Sequence, residues 1–185
     1  MTSTVSENSI AFPLPGLRFD PAAIKAAYRE FLARVPDAPA GSSLSTGLGL
    51  THRPGVDDPW RDAGIGQFDQ STGRKRYEED EFSEFNQACR DLVFYDIYRS
   101  MPFRVGRMRL ITLSPVDMYH MHTDSTRKAH VAIDTNEDCR LFFRTGLTYH
   151  VPEDGRVHVF DTRTHHSAYN AGQTDRVHLV MSIID

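Results

Sequence analysis

Cysteine is scarce: the chain of 185 residues has two, Cys89 and Cys139, far apart and in no C-x-x-C pair. That excludes a disulfide framework or a cysteine zinc finger and leads us to expect a reducing, cytoplasmic setting. Basic excess is missing too, since 21 Lys+Arg face 25 Asp+Glu for a formal charge of -4. Without a basic field to hold a phosphate backbone, no nucleic-acid partner is expected. No apolar run approaches the roughly 18 residues that span a bilayer, so no membrane partner is expected either. The opening MTSTVSENSIAFPLPG lacks the basic start and apolar stretch of a secretory signal and reads as a short polar lead-in. Histidine is the contrast, because eight of the nine (His120, His122, His130, His150, His158, His165, His166 and His178) fall between positions 120 and 178. Imidazole is the commonest metal ligand and titrates near neutrality, so chemistry should be sought in that window.

The length suits a single domain, with no internal repeat. Two segments have helical periodicity. The first opens on Asp20-Pro21, a capping residue before a proline, and places Ile24, Tyr28, Phe31, Leu32 and Val35 on one stripe before Pro36. The second is expected over 80–100, with Phe82, Phe85, Cys89, Leu92 and Val93 at three- and four-residue spacings. Between them a Gly-, Pro- and Asp-rich stretch reads as irregular apart from a strand at 46–52, and its Trp60 is a candidate ligand contact at a barrel mouth or an ordinary loop residue. Residues 1–104 therefore read as a helical and irregular flank.

From 105 onward, short alternating segments separated by turn residues predict strands at 105–113, 127–134, 140–143, 156–161 and 176–184. In the last, Val177, Leu179, Met181 and Ile183 share one face and Arg176, His178, Val180 and Ser182 the other. In 127–134, Ala129, Val131 and Ile133 oppose Lys128, His130, Ala132 and Asp134. The economical architecture is mainly β: a small barrel or jelly roll whose aliphatic face packs on the helices and whose polar face lines a pocket. A merely solvated polar face is the competing reading.

His122-Thr123-Asp124 puts a His and a carboxylate two apart, able to share one metal in an extended segment. The pair alone has little specificity, since about 0.8 such H-x-D pairs arise by chance in this composition. Order and context raise it: H-x-D, then Lys128 and His130 on one strand face, then His166, then Arg176 ten residues later on the final strand. Two His and one carboxylate on one face of a metal form the facial triad of non-haem Fe(II) oxygenases, here His122, Asp124 and His166. Their usual cosubstrate, 2-oxoglutarate, has a distal carboxylate that Arg176 can meet with a bidentate fork, supplemented by His130 and Lys128.

The runs MHTDSTRKAHVAIDTNEDC and GRVHVFDTRTHHSAYNAGQTDRVHLVMSI resemble the aspartyl/asparaginyl β-hydroxylase-like branch of the Fe(II)/2-oxoglutarate oxygenases, with its bacterial proline-hydroxylase relatives. The resemblance covers residues 105–184. It rests on His122 and Asp124; Lys128 and His130; Gly155, Phe160 and Asp161; His166 with Asn170; and Arg176. It implies a double-stranded β-helix (a cupin-like jelly roll), iron, 2-oxoglutarate, and C–H hydroxylation of an amino acid, free or within a peptide, of the Pro, Asp or Asn class. It also implies that His166 rather than His165 is the distal ligand, because only His166 has Asn170 and the ten-residue offset to Arg176.

Lys128 sits where relatives often have Arg, with Arg127 adjacent, so either is a candidate anion contact. Retention of Asp124 favours hydroxylation over halogenation. His178 reads equally as a pocket or a core residue, His120 as a rim residue and His165 as a neighbour, while His150 and His158 carry no functional argument. Two rival classes stay open: a cupin-like metal enzyme that does not use 2-oxoglutarate, and a non-catalytic 2-oxoglutarate-binding module.

Overall fold

A computed structural model describes residues 10–40, 45, 47–61, 63 and 71–185. The chain begins with a strand, β1 (Ala11–Arg18), and a helix, α1 (Pro21–Arg34). Asp20 caps α1 by accepting from the Ala22 N–H at 3.0 Å, Pro21 fills the first helical position, and Ile24, Ala27 and Phe31 are its buried stripe. Two short strands follow, β2 (Leu48–Gly49) and β3 (Thr51–His52), where one was expected; residue 46 lies outside the described residues.

The long helix expected over 80–100 is not formed. Its place is taken by a 3-10 turn (Glu79–Glu81), strand β4 (Glu84–Phe85), a second 3-10 turn (Gln87–Cys89) and a short helix α2 (Val93–Ser100). The cause is local competition for backbone donors. The Asn86 side chain accepts from the Ala88 N–H at 2.9 Å, and the Asn86 N–H itself donates to Leu50 O at 2.8 Å, pairing β4 with β3. The apolar spacing still describes what is buried, since Phe82, Phe85, Cys89 and Leu92 are all in the interior.

Beyond α2 the chain is β structure: β5 (Arg104–Leu113), β6 (Asp117–Met118), β7 (Lys128–Asp134), β8 (Cys139–Phe143), β9 (Thr148–Tyr149), β10 (Arg156–Phe160), β11 (His166–Asn170) and β12 (Arg176–Ile184). A major antiparallel sheet has the order β1-β10-β7-β12-β5-β2, and a minor one the order β6-β11-β8-β9. β1 and β2 belong to the major sheet, so the first 104 residues supply strands as well as helices. β1 tolerates Pro13 and Pro15 because it is an edge strand with an irregular register between Pro13 and Arg18.

Two apolar clusters follow from this layering. The larger lies behind the major sheet, where Ala129, Val131, Ile133, Leu179 and Met181 meet Phe31 of α1 and Phe94 and Ile97 of α2. The smaller lies between the sheets and joins Ala132 and Phe160 of the major sheet to Leu141, Phe143 and Ala168 of the minor one. Trp60 packs on the larger cluster and donates its indole N–H to Pro36 O at 2.9 Å, so it serves the core. The turn before β10 needs glycine: Gly155 has φ 75°, and a Cβ there would sit 1.9 Å from Phe19 O. Both cysteines are free and buried, and among the described residues no helix is long and apolar enough to cross a membrane.

Candidate metal and anion site

Three side chains converge at the open edge of the space between the sheets. His122 follows β6, His166 opens β11, and each donates its backbone N–H to the other's carbonyl (3.0 and 2.9 Å). The paired backbones bring the two imidazoles to 4.4 Å between ring centroids. Asp124 turns back toward both, with Oδ1 4.0 Å from His122 Nε2 and Oδ2 3.7 Å from His166 Nε2. One ligand atom from each of the three lies within 4.8 Å of the others, a spacing that one ion can bridge.

Tautomers follow from the remaining hydrogen bonds. His122 Nδ1 lies 2.7 Å from His120 O, and His166 Nδ1 lies 3.0 Å from Thr164 O. A carbonyl only accepts, so each ring carries its proton on Nδ1 and presents a free Nε2 lone pair toward Asp124. Burial holds the His166 pKa below its ordinary value, against the pull of Asp124, which keeps the ring neutral and able to ligate. His122 is the most exposed of the three, so the site opens on its side.

Deeper between the sheets sits a buried cation. Arg176 opens β12 and is 3% exposed. Its Nη2 donates to His178 Nδ1 at 2.8 Å, which lies 3.2 Å from His130 Nδ1. Because Arg can only donate, His178 must accept on Nδ1 and carry its proton on Nε2, and that buried N–H finds no partner. Burial, then the charge of Arg176, pushes both His130 and His178 well below the usual histidine range, so both are neutral. The groups that favour the charge of Arg176 are Tyr119 and Cys139 rather than a carboxylate. The Tyr119 hydroxyl is also buried without a partner, and burial raises its pKa. An uncompensated buried guanidinium beside two unfilled polar atoms is costly, and an anionic group is what such a cradle accepts.

The other residues singled out in the sequence are engaged elsewhere. Lys128 faces the inter-sheet side, but its ammonium is held by Ser182, Thr126 and Glu79. Arg127 pairs at the surface with Asp185 at 2.6 Å. His120 and His165 are exposed, His150 bonds to Cys139 O, and His158 to the Tyr149 hydroxyl. Asn170 is buried and ties the turn before β12, with its amide donating to Leu113 O and Thr174 O. Tyr119 and Glu79 were not flagged by the sequence. Tyr119 lies one residue before His120 in an irregular segment, and Glu79 sits in the acidic run Glu78-Glu79-Asp80-Glu81, whose composition reads as solvated. A separate cleft of 640 Å³, lined by residues including His52, Phe85, Arg90, Tyr95 and Tyr98, shares no residue with the triad.

Residues 58–185, more than two thirds of the chain, match the family described as aspartyl/asparaginyl β-hydroxylase. The chain belongs to that family. This aspartyl/asparaginyl β-hydroxylase family member has no match among curated proteins. Its fold is shared with an oxidoreductase of the 2OG-Fe(II) oxygenase family from Burkholderia pseudomallei (12% identity, 94% of this chain and 83% of the other, TM-score 0.54). It is likewise shared with the viral collagen prolyl hydroxylase of Paramecium bursaria Chlorella virus-1, solved with 2OG (11% identity, 97% and 98% coverage, TM-score 0.52). At such identities the likeness shows the jelly-roll architecture of this β-hydroxylase family member. The hydroxylase type rests on the family match.

Proposed function

We propose that the protein is an Fe(II)- and 2-oxoglutarate-dependent dioxygenase that hydroxylates a C–H bond of an amino acid, free or within a peptide. The observation that carries this reading is the pairing of a two-His, one-carboxylate cluster with a buried arginine that has no carboxylate of its own. A metal site alone would suit any cupin-like enzyme; the unpaired Arg176 favours a site that also takes an anion.

The donor set fits iron. His122 and His166 would supply neutral Nε2 ligands and Asp124 one negative charge, a donor set that suits Fe(II). When bound, iron and 2-oxoglutarate supply the oxidation: the keto acid is decarboxylated to succinate as O₂ is reduced, and one oxygen atom ends on the substrate carbon. The chain's own groups hold the geometry. His120 O and Thr164 O fix the two imidazole planes through Nδ1. Arg176 would take the distal carboxylate of 2-oxoglutarate, with Tyr119 as a second donor, and His178 holds the guanidinium plane by accepting one of its N–H groups. His130 lies 3.2 Å from His178 through the two Nδ1 atoms, and the burial of all three would keep water from competing for the carboxylate. Lys128 is left out of the anion site because its donors are committed to protein partners, and Arg127 because its guanidinium pairs with Asp185 at the surface. For the substrate, the family description names Asp and Asn, and the viral neighbour is a collagen prolyl hydroxylase; these three residue types are the first to try.

Anaerobic addition of Fe(II) and 2-oxoglutarate should produce a weak visible charge-transfer band that disappears in Asp124→Ala and His166→Ala while the fold persists. In air, one member of a panel of free amino acids and short peptides should give succinate. Absence of the band together with absence of succinate across the panel overturns the reading.

A further inference from the structure

Lys128 and Glu79 form a buried polar network whose purpose is not explained by cosubstrate binding. An ammonium has three N–H donors, and those of Lys128 meet Ser182 Oγ at 2.8 Å, Thr126 Oγ1 at 3.1 Å and Glu79 Oε2 at 3.4 Å. None is left over for a ligand. Glu79 arrives from the 3-10 turn before β4 and is fully enclosed. Arg107 of β5 grips it as a fork (Nε to Oε2 3.2 Å, Nη2 to Oε1 3.0 Å), and Ser182 of β12 donates to it at 2.5 Å. Buried ion pairs of this kind seldom outperform well-packed apolar side chains in stability, so two cations and a carboxylate held here call for another role.

That role is visible in where the network ends. The segment carrying Asp124 bends at Ser125 and Thr126, and residues 124–126 are fastened at four points. Asp124 N–H donates to Thr162 O at 2.9 Å, and Thr162 Oγ1 donates to Thr126 O at 2.7 Å. Lys128 holds Thr126 Oγ1, and Lys75, itself paired with Glu78, donates to Ser125 Oγ at 3.2 Å. Two of the four fastenings thus come from residues 75–79, directly through Lys75 and through Glu79 by way of Lys128.

We infer that Glu79, Lys128 and Thr126 are positioning residues for the metal-binding carboxylate: they clamp the 124–126 segment so that Asp124 meets the same ion as His122 and His166. The inference rests on the iron reading above. Groups that orient a metal ligand typically contribute about 10- to 100-fold in metal affinity. The test is anaerobic calorimetric titration of the metal-free, full-length protein with Fe(II), and separately of Co(II) with its visible d–d spectrum. Wild type is compared with Lys128→Met, Thr126→Val and Asp124→Ala, with circular dichroism for the fold. Thr126→Val removes one hydroxyl and no charge, so it reports even if Lys128→Met fails to fold.

Folded Lys128→Met and Thr126→Val should bind Fe(II) about 10- to 100-fold more weakly, with an altered Co(II) spectrum and unchanged circular dichroism. Fe(II) binding within twofold of wild type in the folded variants overturns the inference and leaves the iron site standing, provided Asp124→Ala still abolishes binding. A lesion confined to 2-oxoglutarate affinity, with Fe(II) affinity intact, also overturns it, because Lys128 would then be a cosubstrate contact. Failure of wild type to bind Fe(II) takes down both this inference and the reading it rests on.

Discussion

Strands β7 and β12 bury both of their faces, but with opposite contents. Behind the major sheet they present Ala129, Val131, Ile133, Leu179 and Met181 to the helices; between the sheets they present Lys128, His130, Arg176, His178 and Ser182, all equally enclosed. Equal burial therefore does not mean equal purpose. On the helix side, removal from water is itself the gain, roughly 25 cal/mol per Å² of apolar surface. On the inter-sheet side the same removal penalises every charge, and the cost is tolerated only where a partner or a ligand offsets it.

The sharpest way to break this contrast is a substitution that should harm function without harming the fold. Arg176→Met keeps much of the volume and removes an unpaired buried charge. Its affinity for 2-oxoglutarate should fall about 100-fold or more, as expected for losing a charge-assisted fork, while its melting temperature should hold or rise. Calorimetry with 2-oxoglutarate and thermal unfolding check both halves. An undiminished affinity would mean that Arg176 does not hold the cosubstrate, and an undiminished rate of turnover would favour a cupin-like enzyme that does not use it. The opposite result is expected three residues on: Leu179→Ala should cost about 2–5 kcal/mol in denaturant unfolding, with Fe(II) affinity retained in the folded protein.

Acid supplies the gentlest probe. Burial alone would raise the Glu79 carboxyl, but the Lys128 ammonium and Arg107 guanidinium outweigh it and bring the pKa down from 4.5 to about 2. The folded value lies below the unfolded one, so the contribution is fully present above about pH 4.5 and is lost as pH falls toward about 2. Unfolding curves between pH 6 and pH 2 should show this loss in wild type and a shallower one in Glu79→Gln. Parallel curves would mean that the carboxylate is not held as described.

The helix-side face was plain in the sequence. The alternation of Val177, Leu179, Met181 and Ile183 has period two and only one reading, and β5, β7, β8, β10 and β12 fall within one residue of the spans expected from such patterns. The site was legible as far as short-range spacing and family resemblance reach: His122, Asp124 and His166 do converge, and Arg176 does lie between the sheets. What escaped was long-range or compositionally disguised. Glu79 stands in an acidic run, and only tertiary packing places it against Lys128, Arg107 and Ser182. The 80–100 segment had helical spacing, yet Asn86 and the pairing with Thr51 captured its backbone, a competition that apolar periodicity does not register. Strand β11 was missed because the Thr164 to Asn170 stretch mixes His, Ser, Ala and Tyr without clean alternation.

The reciprocal backbone bonds between His122 and His166 have a consequence for the life history of the protein. Two of the three proposed ligands are spaced by this isolated backbone bridge rather than by an ion, which would separate the site from small zinc modules that are unfolded until loaded. If the centre takes iron as proposed, folding and loading would be independent events: the polypeptide would wait empty, take up iron when it is available, surrender it to a chelator and be recharged, with the supply of metal acting as a reversible switch on a scaffold that never has to be rebuilt.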